Sequence, residues 1–376
     1  MYIQRLEYKN VRKILQSGLV AIVYGARQVG KTTLANEIAK EYERPLYLTC
    51  DNPDVVESLR HKSATELKAY VGDADLVIID EGQRVENIGL SIKLLHDTYP
   101  KINLLVTGSS SLDLANSVAE PLTGRSGEVI LYPLSVLEVS KSTNEITPNA
   151  RVMMDRGGYP AMWSLSAESA HKRLDSLANN YVFRDAFAPQ VQYDQTIIAK
   201  LLQLLAYQIG NEVSYNELAT TLGISKDTVM RYVDLLEKAF IIVRQNQYRR
   251  NQRVEIGRLR KVYFIDLGIR YAIINNFNPL TTRDDIGALW ENFCTIERLK
   301  YLQSTERRVR SYYWRNDDQR EIDLVEEESG VLRAYEMKYS SKKLPKLPVG
   351  FMRQYPNHQS YKIVNQDTLH ETLLSD

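Results

Sequence analysis

Cysteine is almost absent from this 376-residue chain, where Cys50 and Cys294 are the only two. Two thiols build neither a disulfide framework nor a four-thiolate zinc centre, so both read as core thiols in a reducing compartment. The five histidines are scattered without ligand spacing. Long hydrophobic runs are missing as well. Stretches such as LLQLLAY from Leu201 fall far short of a membrane span. The opening MYIQRLEYKN has no apolar core of a signal peptide. A cytoplasmic protein with no membrane partner is therefore expected. Charge of one sign is also lacking: 48 Lys and Arg against 47 Asp and Glu leave a net charge of +1. That balance excludes a global field drawing the molecule onto nucleic acid and leaves such a role to local patches.

What is present is a folded chain, 44% hydrophobic and 25% charged, long enough for two or three domains. LVAIVY at 19–24 is a continuous apolar run rich in β-branched residues, which suits a buried parallel strand. A glycine-rich turn follows, and then the helical pattern TTLANEIAKEY. Further short apolar runs occur at LYLTC, DLVIID, INLLVTG and EVILY, with helical stretches such as Ile88–Tyr99 between them. This alternation predicts a doubly wound α/β domain over 1–140.

Gly25-Ala26-Arg27-Gln28-Val29-Gly30-Lys31-Thr32 fits G-x-x-x-x-G-K-[ST], placed after a buried strand and before a helix. The two glycines let the backbone curl so that N–H groups face phosphates, and the following helix dipole adds to that anion site. Lys31 is expected at the β- and γ-phosphates of ATP and the Thr32 hydroxyl on Mg²⁺, with Thr33 on the α-phosphate or in packing. The strand at 76–80 ends in Asp80-Glu81. Asp80 is expected to hold the Mg²⁺ hydration shell and Glu81 to polarise the attacking water as general base. In LLVTGSSS, Ser109 or Ser110 either orients that water or belongs to a plain serine-rich turn. Arg125, in LTGR, is a candidate to stabilise transition-state charge, in cis or across the interface of a homo-oligomer, with a surface arginine as the alternative.

Beyond this domain, KSTNEITPNA at 141–150 reads as a linker, opening a helical lid over 141–195. Residues 196–260 read as a winged helix-turn-helix. Ser214 and Glu217 form a capping box, Gly223 turns the chain, and Val229, Tyr232, Val233 and Leu236 make one buried stripe before the strand FIIV. A last domain spans 261–376.

The segments GARQVGKTTL, IIDEGQRV, GSSS, LTGR, YPLS, GGYP and KVYFIDLGI resemble, in order, a large prokaryotic group of AAA-type ATPases. They belong to the division with an extra strand and a catalytic glutamate. The resemblance implies a parallel sheet in the order 5-1-4-3-2. It also implies that a winged helix and a mixed α/β domain similar to PD-(D/E)xK nucleases follow the ATPase.

Two features bear on nucleic acid. Between Arg244 and Lys261 lie Arg249, Arg250, Arg253, Arg258 and Arg260 against the single acid Glu255. Phosphate contact with DNA and a solvated or interdomain face are the two readings of that stretch. In the last domain, Glu336 and Lys338 are two residues apart and so share one face of a strand, with Asp323 on the strand before. Asp323 and Glu336 are candidate ligands for a second divalent ion, Mg²⁺ or Mn²⁺, with Lys338 at the attacking water, and the resemblance implies Glu291 as an additional acid. The chain thus reads as an ATPase that acts on DNA. The alternative is an ATP-driven switch whose winged helix docks protein and whose nuclease-like domain is an inactive scaffold.

Overall fold

The computed structural model describes residues 2–109, 121–178, 194–249, 259–340 and 345–375. The chain divides into a unit of Met1–Leu134 with Lys238–Phe240 and a unit of Ser135–Glu237 with Ile241–Asp376.

The first unit is built on five strands: β1 (Val20–Tyr24), β2 (Pro45–Thr49), β3 (Leu76–Asp80), β4 (Asn103–Gly108) and β5 (Ser126–Ile130). All pair in parallel in the order β2-β3-β4-β1-β5, which is the 5-1-4-3-2 arrangement. The β1 and β3 runs are buried at every residue because helices cover a parallel sheet, whereas the edge strand β2 is largely open. Since the strands run one way, the carboxyl ends of β1, β3 and β4 share one rim. That rim receives Gly25, Glu81 and Ser109.

The second unit opens with the helices Val136–Val139, Thr143–Arg156, Pro160–Trp163 and Ala167–Leu177. The stretch expected to be a linker at 141–150 is mostly helix. Ile146, Ala150, Met153 and Met154 form a buried stripe that its polar neighbours hide, and the helix carries Pro148 inside it. Helix Gln195–Tyr207 leads into Tyr215–Leu222 and Lys226–Lys238, separated by Gly223 in the left-handed conformation. Seven strands form the second sheet: β6 (Glu212–Val213), β7 (Ile242–Gln247), β8 (Arg260–Phe264), β9 (Arg310–Arg315), β10 (Glu321–Glu328), β11 (Val331–Met337) and β12 (His358–Val364). Their order is β12-β11-β10-β9-β7-β8-β6. A short parallel pairing, Asn246 with Tyr312 and Gln247 with Tyr313, fuses the β7–β8 hairpin to the C-terminal strands. The expected division between 260 and 261 falls inside β8.

GGYP finds its physical reason here. Gly157 has φ +76°, and a Cβ there would lie 2.2 Å from Asp266 Oδ1. The Gly158 N–H donates to Asp266 Oδ2 at 2.7 Å, while Ile269 N–H donates to Oδ1 at 3.1 Å as Asp266 caps the helix Leu267–Ile274. The GGYP turn and the DLG segment are thus two halves of one buried joint.

Candidate functional site

Two centres emerge, one in each unit. The first is the rim of the parallel sheet. A Cβ on Gly25 would sit 2.3 Å from the Leu131 carbonyl oxygen, so glycine is required by close backbone approach. Gly30 has φ +101° and caps the helix Lys31–Ala39. Arg5, buried, secures the loop from the N-terminal segment. Its Nη1 donates to Val29 O at 2.7 Å and its Nη2 to Tyr132 O at 2.6 Å.

Lys31 Nζ donates to Gly25 O at 2.9 Å and Ala26 O at 3.1 Å, and lies 3.9 Å from Glu81 Oε1. Burial lowers its pKa, an effect that Glu81 and Asp80 oppose. Thr32 Oγ1 donates to Asp80 Oδ2 at 2.9 Å, and the Tyr47 hydroxyl donates to the same oxygen. Thr107 donates to Asp80 Oδ1 and accepts from the Glu81 N–H at 3.2 Å. Gln83 Nε2 bridges Glu81 Oε2 at 2.6 Å and Ser109 Oγ at 3.0 Å. The structure therefore brings Lys31, Thr32, Asp80, Glu81 and Ser109 together. Arg5, Tyr47, Gln83 and Thr107 belong with them, although no sequence motif flags them. Ser110 lies outside the described residues.

Arg125 is not at this rim. Its carbonyl accepts from Val20 N–H at the start of β1, the end opposite Gly25, and its Nε donates to Asp97 at 2.7 Å. The reading of Arg125 as a residue acting in cis is thereby corrected.

The second centre lies on β10 and β11. Their register, Leu324 opposite Tyr335, carries Asp323 opposite Glu336, so both carboxylates face the same side. Lys338 Nζ lies 2.7 Å from Glu336 Oε1 and 3.9 Å from Asp323 Oδ2. Met337 N–H donates to Asp323 Oδ2 at 2.7 Å. Among the described residues, Glu291, Glu321 and Asp323 place carboxylate oxygens within 4.8 Å of one another. Glu321 had no assigned role in the sequence. Lys261, fully buried, donates from Nζ to Glu291 at 2.6 Å and also to Glu321, and the Tyr263 hydroxyl donates to Glu291 at 2.7 Å. Burial raises Glu291 to about 7 against the pull of Lys261, and burial with the neighbouring Glu336 raises Asp323. Glu291, Glu321, Asp323, Glu336 and Lys338 line an open cleft of about 850 Å³.

The basic stretch is also partly corrected. Arg244 is spent on Asp234 at 2.6 Å and on Glu237, and Lys261 is buried among acids, so neither is available to phosphates. Arg250, Arg253 and Arg258 lie outside the described residues. Arg249 and Arg260 line a groove of about 690 Å³ beside the helices Tyr215–Leu222 and Lys226–Lys238.

A 5-1-4-3-2 parallel sheet, a glycine-rich loop opening a helix and an acidic pair at the end of the third strand define an AAA-type P-loop domain, the fold of nucleotide binding. Comparison with known proteins agrees: residues 17–140 match the AAA domain family. Residues 149–280 and 286–373 match two domains of unknown function, DUF8612 and DUF4143. An uncharacterized protein of Mycobacterium tuberculosis is 28% identical over 334 residues, 88% of this chain and 73% of its own length. One from Haemophilus influenzae is 24% identical, over 67% of this chain and 68% of its own. Among solved structures, a Walker-type ATPase of Pyrococcus abyssi aligns with TM-score 0.48 and 15% identity, covering 72% of this chain and 96% of that one. Among the described residues no helix is long and apolar enough to cross a membrane.

Proposed function

We propose that the first unit hydrolyses Mg-ATP and that the second carries a divalent-metal centre for phosphodiester cleavage, together with a winged helix that meets nucleic acid. The first part rests on one observation. The Thr32 hydroxyl and Asp80 are 2.9 Å apart beside the loop, while Glu81 is held between Lys31 and Gln83. The donor set fits Mg-ATP, with a hydroxyl and a carboxylate for a hard cation and a lysine and helix N-terminus for phosphates. The cation would neutralise charge on the phosphate oxygens. The chain's own residues do the rest. Gly25–Thr33 cradle the nucleotide, Lys31 meets the β- and γ-phosphates, and Glu81 takes the proton of the attacking water. Gln83 and Ser109 fix Glu81 and that water in place. Any part for Arg125 is played on a neighbouring subunit. Measuring ATP turnover in Glu81→Gln tests the assignment, and a wild-type rate would remove Glu81 from it.

In the second unit Asp323 and Glu336 would hold Mg²⁺ or Mn²⁺ and Lys338 would orient water and the scissile phosphate. Glu291 and Glu321 already share Lys261, and this favours one ion at Asp323–Glu336. The same ammonium also supports a second reading. A cluster already balanced by an internal cation needs no metal to be tolerated. In that reading the domain is a scaffold and the protein an ATP-driven switch that docks partners. Calorimetric titration with Mn²⁺ separates the two, since saturable binding abolished by Asp323→Asn belongs only to the first.

A further inference from the structure

We infer that the groove beside the helix-turn-helix and the acidic cleft form one path for an unpaired nucleic-acid strand. The path deepens the proposed phosphodiester chemistry by naming the form of its substrate, and it rests on that reading.

The two hollows, of about 690 and 850 Å³, are adjoining: Asn316 and Gln319, on the turn between β9 and β10, line both. Cations line both parts of it, beside the acids Asp227 and Asp317 of the first hollow and Asp318 of the second. Lys226 and Arg260 line the first hollow, and Arg320, Lys346 and Arg353 line the second. These five contrast with the basic residues that the unit uses in ion pairs. Arg244, Lys261, Arg270, Arg283, Arg298 and Arg307 all hold carboxylates. None of the five has an acid at pairing distance among the described residues. Unpaired cations spaced along a continuous groove are what a chain of phosphates requires, and each neutralised phosphate releases a counterion.

The walls decide between one strand and two. Met230 and Leu259 in the first hollow are 39% and 42% exposed, and Val349 in the second is 56% exposed. Tyr361 adds a half-open ring to the second. A duplex stacks its bases inside and offers such walls base edges, sugar and phosphate but no base faces. An unpaired strand offers base faces that cover apolar side chains while its phosphates meet the cations. The two hollows together suit several nucleotides. The path ends at Asp323, Glu336 and Lys338, where a phosphate delivered along it meets the acids.

Fluorescence anisotropy of the full chain in EDTA, without nucleotide, tests this apart from any cleavage. The probes are labelled oligothymidylate and oligouridylate of roughly 12 nucleotides and a blunt duplex of the same length. At least one single strand is expected to bind about tenfold or more tightly than the duplex, and the preferred strand names DNA or RNA as the source. Five phosphate contacts predict a slope of about −3.5 in log affinity against log salt. Lys226→Glu with Arg260→Glu should weaken binding about tenfold or more. Lys346→Glu with Arg353→Glu should do the same from the other hollow, both with thermal midpoints near wild type. Equal or tighter duplex binding, or undiminished affinity in both folded double variants, would overturn the path. Binding retained without cleavage when Mn²⁺ is restored would overturn the cleavage chemistry alone. Duplex cleavage without strand binding would overturn the path alone.

Discussion

Glu81 adopts φ +56°, a left-handed conformation that a non-glycine residue takes only when its surroundings hold it. Its N–H bonds to Thr107 and its carboxylate to Gln83, and these contacts aim the side chain. Replacing it by glutamine keeps size and bonding while removing the base. Glu81→Gln is therefore expected to keep ATP affinity and lose about a hundredfold or more in turnover. Lys31→Ala should behave oppositely, losing nucleotide binding itself, as equilibrium titration with a fluorescent ATP analogue would show. Gln83→Ala should lower kcat by about tenfold with little change in KM, since it frees Glu81 without touching phosphates. A KM effect as large as the kcat effect would refute that positioning role. Lys31, Asp80 and Glu81 were legible because local spacing encodes them. Arg5 was not, since one of its partners lies 127 residues away. Tyr47 and Thr107 escaped notice for the same reason: Asp80, which they bond, sits on another strand.

At the scale of elements, the buried parallel strands were readable because continuous apolar runs between helical stretches leave few alternatives. β12 (HQSYKIV) was not foreseen, because its burial is confined almost to its last residue. The first half of the helix Thr143–Arg156 reads as a linker in the sequence because its polar face and Pro148 conceal its buried stripe. The GGYP joint offers a direct test of packing. Gly157→Ala adds positive-φ strain and drives a methyl group onto the Asp266 carboxylate. A loss of roughly 2–4 kcal/mol is expected, lowering the thermal midpoint by on the order of 10 °C. A second test is the buried fork in which Arg298 Nε and Nη2 donate to Glu326 at 2.7 and 2.8 Å. Arg298→Met strands the Glu326 charge and should cost about 3–5 kcal/mol, whereas Arg298→Met with Glu326→Leu should recover much of it. A double variant no more stable than the single one in urea unfolding would show that the pair itself, and not the stranded charge, sets the cost.

At the scale of the whole molecule, the sequence announced an ATP site far more clearly than it announced what that site serves. A phosphate loop is a contiguous string with a fixed geometry. The C-terminal centre instead gathers residues from β8, the helix Ile286–Ser304, β10 and β11. Asp323, Glu336 and Lys338 could be picked out from spacing. Lys261 lies inside a run of basic residues that reads as meeting phosphates or as a solvated or interdomain face, and only the fold turns it inward among the acids. The two centres draw on separate residue sets, and their chemistries are separable by single substitutions. Asp323→Asn preserves volume and can still accept the Met337 N–H, but removes the charge that would balance a divalent ion. It is expected to end Mn²⁺-dependent cleavage of a labelled single strand while ATP turnover stays within about twofold of wild type. Glu81→Gln, assayed on the same strand with ATP present, then decides how the centres are related. Cleavage that persists makes the nucleotide cycle a matter of loading or release, whereas cleavage lost with turnover makes hydrolysis the gate. If Asp323→Asn cuts the strand at the wild-type rate, the carboxylate is no ligand, and the acids of β10 serve the fold alone.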